Sequence, residues 1–240
     1  MAQCYFVGHP VNGESPLWPV SLALVRPPKI WRMNTVAAPD HAHELEHEHR
    51  TRLLQAMATV SAEKGLAVTT IADIVREAGV SKRTFYEHFD GKEACFLALY
   101  RAASGSALRT LREALKPDRP WQTQIEQALR AYFEHLAAGP GLVRVLFVDI
   151  HHLGPEGLRA RREVMQQLAD FMVSTVNGAA SPGTAPVRAI SPAMAMAAVG
   201  GINELVLQAI EQGNAALLTN LTAGAGEIVR VLTHADLAGL

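Results

Sequence analysis

Cysteine, aromatic residues and net charge are all scarce in this chain. Its two cysteines, Cys4 and Cys95, exclude a disulfide framework and leave no cysteine-rich zinc spacing. Aromatics are 6% and charged residues 19% of the 240 residues, and the net charge is −1. That balance excludes a protein that coats nucleic acid by bulk positive charge, while a local basic surface stays open to it. No uninterrupted apolar run reaches the roughly 18 residues of a membrane span, so a soluble, cytoplasmic chain with no membrane partner is expected. Also missing are the Gly-x-Ser-x-Gly elbow, a phosphate-binding glycine loop and the His-Glu-x-x-His zinc signature. An enzyme therefore ranks last among the readings, and no catalytic residue or cofactor is expected.

Proline is not scarce but unevenly placed. Pro10, Pro16, Pro19, Pro27 and Pro28 are five of thirteen, and Trp18 and Trp31 sit among them. Within a Pro-rich segment of residues 1–42, the first 33 residues are expected to form no regular element, and no basic region precedes an apolar stretch as a secretory signal requires. Two readings of this segment stand side by side: a Pro-rich flexible tail, or sequence upstream of a true start at Met33. Beyond it, 49% hydrophobic composition is arranged as helix after helix, with no long alternating segment and no internal repeat. The fold class is all-α. About nine helices are expected, over 43–65, 70–78, 82–88, 92–115, 121–138, 142–152, 156–176, 192–212 and 215–236. A domain boundary is expected near residue 102, between helical units over residues 43–102 and 103–240.

The informative stretch lies between Arg50 and Arg101. Leu53, Met57 and Val60 recur at helical spacing before a stop at Gly65. Thr70 and Asp73 then form a capping-box start for a helix of barely two turns that ends at Gly79. Ser81 can cap a second short helix from Lys82 to His88, and two short helices joined by a glycine-containing turn make a helix-turn-helix. On the second helix Phe85 and Phe89 anchor one side, while Lys82, Arg83 and Tyr86 share a neighbouring surface suited to base edges and phosphates. Lys92 opens the next helix, where free backbone N–H groups also attract phosphate. The segment holds eight lysines and arginines against six acids, so one copy binds phosphate weakly and two on a symmetric site do better.

The run Thr69-Thr-Ile-Ala-Asp-Ile-Val-Arg-Glu-Ala-Gly-Val-Ser-Lys-Arg-Thr-Phe-Tyr-Glu-His-Phe-Asp-Gly-Lys-Glu93 resembles the N-terminal signature of the TetR/AcrR family of transcriptional regulators. Gly79, Val80, Ser81, Thr84, Tyr86, Phe89, Lys92 and Glu93 all fall in register, and the likeness covers about residues 50–101. Val75 departs from the family's usual alanine. The resemblance implies that Lys82, Arg83 and Thr84 face the major groove while Thr70, Tyr86, His88 and Lys92 hold the DNA backbone. With Ser81 they complete the candidate DNA-binding set. It also implies a ligand-responsive regulator, most often a repressor, that binds a palindromic double-stranded operator as a homodimer and is released by a small-molecule effector.

Residues 103–240 carry eleven basic against twelve acidic side chains, so this half is not the nucleic-acid surface. A helix-turn-helix dimer needs a fixed spacing, and the last two helices are the expected pairing face. Ala195, Ala198, Val199, Ile202 and Val206 line one helix, with Gly200 and Gly201 allowing close approach; Leu217, Leu221, Ile228 and Leu232 line the other. The same stripes can instead face their own core. Trp121, Tyr132, Phe133, Phe147, Met165, Phe171 and Met172 are candidate apolar walls of an effector pocket, with His135, Asp149, His151, His152 and Asn203 as polar contacts. The helix from Gly91 to Leu115 is the natural lever between pocket and reader, and Ser104-Gly105-Ser106 is a place for it to bend.

Two rivals remain. Histidines 41, 43, 47 and 49 cluster, and His43 and His47 lie one helical turn apart as metal ligands do. No cysteine joins them, so a solvated helix start is favoured and no metal site is assigned. A helical interaction module that binds no DNA is the other rival, and it forbids the salt-dependent DNA retention that a regulator shows.

Overall fold

The computed structural model describes residues 41–116, 118–179 and 187–234, and every element among them is helical apart from an isolated bridge between Val187 and His234. The expectations for residues 1–40 and the tail beyond 234 lie outside these residues. In chain order the helices are α1 (His41–Lys64), α2 (Ile71–Ala78), α3 (Lys82–His88), α4 (Lys92–Ala114), α5 (Trp121–Ala137), α6 (Pro140–Val148), α7 (Gly154–Ala179), α8 (Pro192–Glu211) and α9 (Thr222–Thr233). Short 3-10 turns occupy Asp149–Leu153 and Ala215–Leu221.

Local chemistry sets the helix ends. Pro140 and Pro192 stand in the first turns of α6 and α8, where a missing N–H costs nothing. Ser191 caps α8 by accepting the Met194 N–H at 3.2 Å. Two departures from the expected spans trace to long-range contacts. The helix expected over 142–152 tightens into 3-10 geometry at Asp149, which is buried and accepts an N–H from the loop after α1. The helix expected over 215–236 breaks because Leu217 leaves helical geometry while its neighbour Leu218 is fully buried.

Three apolar cores hold the helices together. The first joins Leu53, Met57, Ile74, Phe85, Phe96 and Leu99 of α1–α4 to Leu142, Val145, Leu146, Ile150, Ala160 and Val164. It therefore continues past residue 102 into α6 and α7. The second sets α5 against α8, the 3-10 turn before α9 and α9 itself through Phe133, Val206, Leu218 and Val229, and the third sets α7 against α8 through Met165, Val176 and Ala195. Helix α8 and the segment Ala215–Thr233 are long and apolar enough to cross a membrane by length and composition alone. Here both supply residues to the helical cores.

Helix α4 runs unbroken through Ser104, Gly105 and Ser106. The tightest glycine lies elsewhere. A Cβ on Gly157 of α7 would stand 2.1 Å from the Ile150 carbonyl oxygen and 2.9 Å from the Leu153 Cβ. Gly157→Ala is expected to displace the 3-10 turn and to destabilise the chain by about 1–3 kcal/mol, read as a lower midpoint in urea unfolding. An unchanged midpoint would mean that the turn yields freely.

Candidate nucleic-acid interface and adjoining cavities

The reader is built around α2 and α3. Thr70 accepts the Asp73 N–H at 3.2 Å, while Asp73 Oδ2 accepts the Thr70 N–H at 3.0 Å and its hydroxyl at 2.6 Å. Asp73 also receives Lys64 Nζ, and its Oδ1 accepts Arg76 Nη2 at 2.8 Å. One carboxylate thus ties the end of α1 to the start of α2. Helix α2 ends at Gly79 in left-handed geometry (φ 62°), which glycine adopts without strain. Arg52 of α1 donates to the Ala78 and Gly79 carbonyls there, so both ends of α2 are held by α1.

Ser81 caps α3 by accepting the Thr84 N–H at 3.0 Å. Phe85 is fully buried and Phe89 nearly so, their ring centroids 5.8 Å apart, and this fixes which side of α3 faces outward. Lys82, Arg83 and Tyr86 lie on that outward side. Arg83 has 91% of its side chain exposed and pairs with Glu87 at 3.1 Å. Thr84 is half-buried, its hydroxyl 2.9 Å from that of Ser81. His88 is also half-buried, its ring edge-on to His49 with centroids 6.4 Å apart. Arg50 lies over the Phe89 ring at 5.3 Å. No group of three or more His, Cys, Asp or Glu able to hold a metal occurs among the described residues.

Lys92 is placed differently from the other candidates. Its ammonium donates to the Leu66 carbonyl at 3.0 Å and the Ala67 carbonyl at 3.4 Å. The Leu66 N–H is taken at 2.9 Å by Oδ2 of Asp149, a residue 83 positions away. The short loop between α1 and α2 is thereby held on one side by α4 and on the other by the turn after α6. Nothing local in the sequence singles out Asp149 or Arg52 for these roles, because each acts on a backbone group distant in the chain.

Two cavities adjoin this framework. The first, about 900 Å³ counting its open mouth, is bordered by Tyr100, His135, Leu146, Phe147, Ile150 and Arg161, among others. The second, about 780 Å³ on the same basis, lies against Trp121, Ile125, Phe171, Met172 and Val176. Tyr132, Met165, Leu168 and Asn203 border both. Of the expected pocket residues, Trp121, Tyr132, Phe147, Met165, Phe171, Met172 and Asn203 line these spaces. Phe133 is instead fully buried in the core, and His151 is exposed on the 3-10 turn. His152 lies 3.9 Å from Asp149, whose carboxylate is spent on Leu66. Burial and then the Arg109 charge lower the pKa of His135, favouring a neutral ring there. Burial pushes the Cys95 thiol up to about 12, leaving it a protonated filler of the first core.

Of the residues expected on a pairing face, Ala195, Ala198, Val199, Ile202 and Val206 are buried in the chain's own cores. They supply the apolar surface that α5 and α7 need. Leu221, Ile228 and Leu232 are half-buried, and Leu217 and Val231 are more than half exposed.

The carboxyl of Asp73 is held far below its ordinary pKa of 3.8, chiefly by Lys64, then by the Thr70 side chain and backbone, with Arg76 adding to them. A depressed folded-state pKa gives stability that is fully present above the ordinary value and drains away as pH falls below it. Asp73→Asn is expected to lower the melting temperature at pH 7 and to narrow the difference between melts at pH 7 and pH 3, followed by circular dichroism. Equal losses at both pH values would show that the charge is immaterial.

Residues 53–99 match the bacterial regulatory proteins of the tetR family. The HTH-type transcriptional repressor KstR2 of Rhodococcus jostii is 30% identical over 104 residues, which are 43% of this chain and 51% of that protein. The HTH-type transcriptional activator FasR of Mycolicibacterium smegmatis is 26% identical over 109 residues, 45% of this chain and 50% of that one. The chain thus spans about half the length of these two curated relatives. Among solved structures, the regulator FadR of Bacillus subtilis, in complex with stearoyl-CoA, superposes with a TM-score of 0.64 at 18% identity, covering 74% of this chain and 96% of its own. GusR of Salmonella enterica does so at 0.62 and 21%, covering 77% and 94%. The structural likeness concerns the fold, and the family model matches within the reader. With the capped helices α2 and α3, the match shows that residues 53–99 form a helix-turn-helix of the tetR family type.

Proposed function

We propose that this chain is a cytoplasmic, ligand-responsive repressor that binds a palindromic operator as a homodimer and leaves it when a small molecule fills the cavities beside α4. The observation that carries this reading is the position of Leu66. Its N–H belongs to Asp149, which follows the cavity-lining residues Leu146 and Phe147 and precedes Ile150; its carbonyl belongs to Lys92, at the head of α4. An effector that binds better to a conformer with this turn displaced draws the population away from the DNA-binding arrangement. Binding of stearoyl-CoA by the similarly folded FadR supports a ligand role for such a fold.

Lys82, Arg83 and Thr84 are assigned to base edges, and Thr70, Ser81, Tyr86 and His88 to the DNA backbone. Lys92 joins them by holding the loop that presents Thr70. For self-pairing, the exposed Leu217 and Val231 with Leu221, Ile228 and Leu232 supply the apolar area of the last segment. The buried stripe of α8 supports that face from behind. A dimer sets two copies of α3 about one DNA turn apart, which offsets the weak grip of a single copy.

The first test is gel-shift retention of DNA from immediately upstream of the gene and its neighbours. Wild type is expected to retain a specific segment, with affinity falling steeply as salt rises, and Lys82→Ala/Arg83→Ala to lose it. No retention there, and none from a random-sequence selection, would overturn the reading. The second test concerns coupling. Asp149→Ala leaves the Leu66 N–H buried without its acceptor, at a cost of about 1–3 kcal/mol. Faster hydrogen exchange at Leu66 and weaker operator binding are expected although α3 is untouched. Unchanged operator affinity would remove Asp149 from the mechanism.

A further inference from the structure

Burial does little to hold the head of α3. Ala78 and Phe85 are buried, but the six residues between them are half-buried at most, and Lys82 and Arg83 are exposed. Lys82, Arg83 and Thr84, the side chains assigned to base edges, all lie in this stretch. Ser81 accepts the Thr84 N–H within the same stretch, so that bond shapes the first turn of α3 without tying it to another helix. The far end is better fixed. Phe85 is fully buried, Phe89 nearly so, and Arg50 of α1 lies over the Phe89 ring at 5.3 Å.

Arg52 ties the head down. The last turn of α2 closes on itself, with the Gly79 N–H donating to the Arg76 carbonyl at 3.3 Å and the Val80 N–H to the Val75 carbonyl at 3.0 Å. The Ala78 and Gly79 carbonyls take no part in that closure. Nη2 of Arg52 donates to both of them, at 3.1 Å in the case of Gly79. The root of this side chain is firm, because the next two residues of α1, Leu53 and Leu54, are buried in the first core. Its planar head has fixed N–H directions, and its charge suits the C-terminal end of α2. Gly79 leaves room for it, since a Cβ there would stand 2.8 Å from Nη2.

We infer that Arg52 is a positioning residue for sequence discrimination. By holding the turn before α3 it sets the angle at which Lys82, Arg83 and Thr84 meet base edges, and it touches no DNA itself. This rests on α3 being the DNA reader. Base-edge contacts need close registry and carry the choice of sequence, whereas phosphate contacts supply the sequence-independent affinity. Loosening the turn therefore costs discrimination first.

The test measures the affinity of the full chain for two duplexes by fluorescence anisotropy over a range of salt. One duplex is the segment that wild type retains, from upstream DNA or from random-sequence selection; the other is a scramble of it with equal length and composition. Arg52→Met keeps an apolar stem and removes the donors. It is expected to lower the ratio of the two affinities about tenfold, with the scrambled-duplex affinity and both salt slopes as in wild type. Unfolded chain lowers both affinities alike and cancels in the ratio. Arg52→Lys, which keeps a cation able to donate to a carbonyl, is expected to recover part of the loss. Salt slopes smaller by about one on both duplexes would make Arg52 a phosphate contact and overturn the inference. A lower melting temperature with an unchanged ratio would overturn it as well, since that is the mark of a merely structural role. Either result leaves the regulator reading standing. If wild type retains no duplex at all, that reading falls and this inference falls with it.

Discussion

The rest of the structure depends on one buried carboxylate. Asp149 takes the N–H of Leu66 across 83 residues of chain, and only with that bond made does the turn after α6 lie against the loop that leads into α2. A buried carboxylate without donors is costly, so the contact favours the chain path on both sides of it. The 3-10 tightening at Asp149–Leu153 and the close seat of Gly157 against Ile150 follow from the same requirement. The first core, shared by reader and cavity wall, fills the space so defined. Helices α1–α4 therefore share one packed core with α6, the turn after it and α7.

Legibility in the sequence divides along the same line. The reader was plain because its signals are local: Thr70 with Asp73, Gly79, Ser81, and the spacing of Phe85 and Phe89 each concern neighbours within a few residues. The helix spans were readable for the same reason, and they depart only where a distant contact intervenes, at Asp149 and Leu217. Arg52 was not singled out, and Asp149 was expected as a pocket contact and not as the acceptor of the Leu66 N–H, since nothing in their surroundings shows which backbone group they meet. The stripe on α8 shows a further limit. Ala195, Ile202 and Val206 declare an apolar face, but periodicity is the same whether that face meets its own chain or a second copy, and here it meets its own chain.

Helix α4 links the two halves in a second way. Lys92 at its head grips the loop before α2, and Tyr100, Ala103, Ser104 and Ala107 further along border the first cavity. In the proposed mechanism, a ligand in the first cavity would act on a helix that is continuous through Gly105. A rod pivoting at a packed core converts a small shift at one end into a shift at the other, and cores of this density favour discrete positions over gradual ones.

The ion pair between Arg83 and Glu87 carries a consequence for how the protein searches a genome. An exposed guanidinium on a reading helix would cling to any phosphate it met. With Glu87 one turn away, unselected DNA must draw Arg83 from a carboxylate and bring its own charge near that carboxylate, so such encounters stay brief. Only a site that offers Arg83 a well-placed base edge compensates for both. On the proposed assignment of Arg83 to a base edge, short visits to wrong sequence would leave more copies free to sample others.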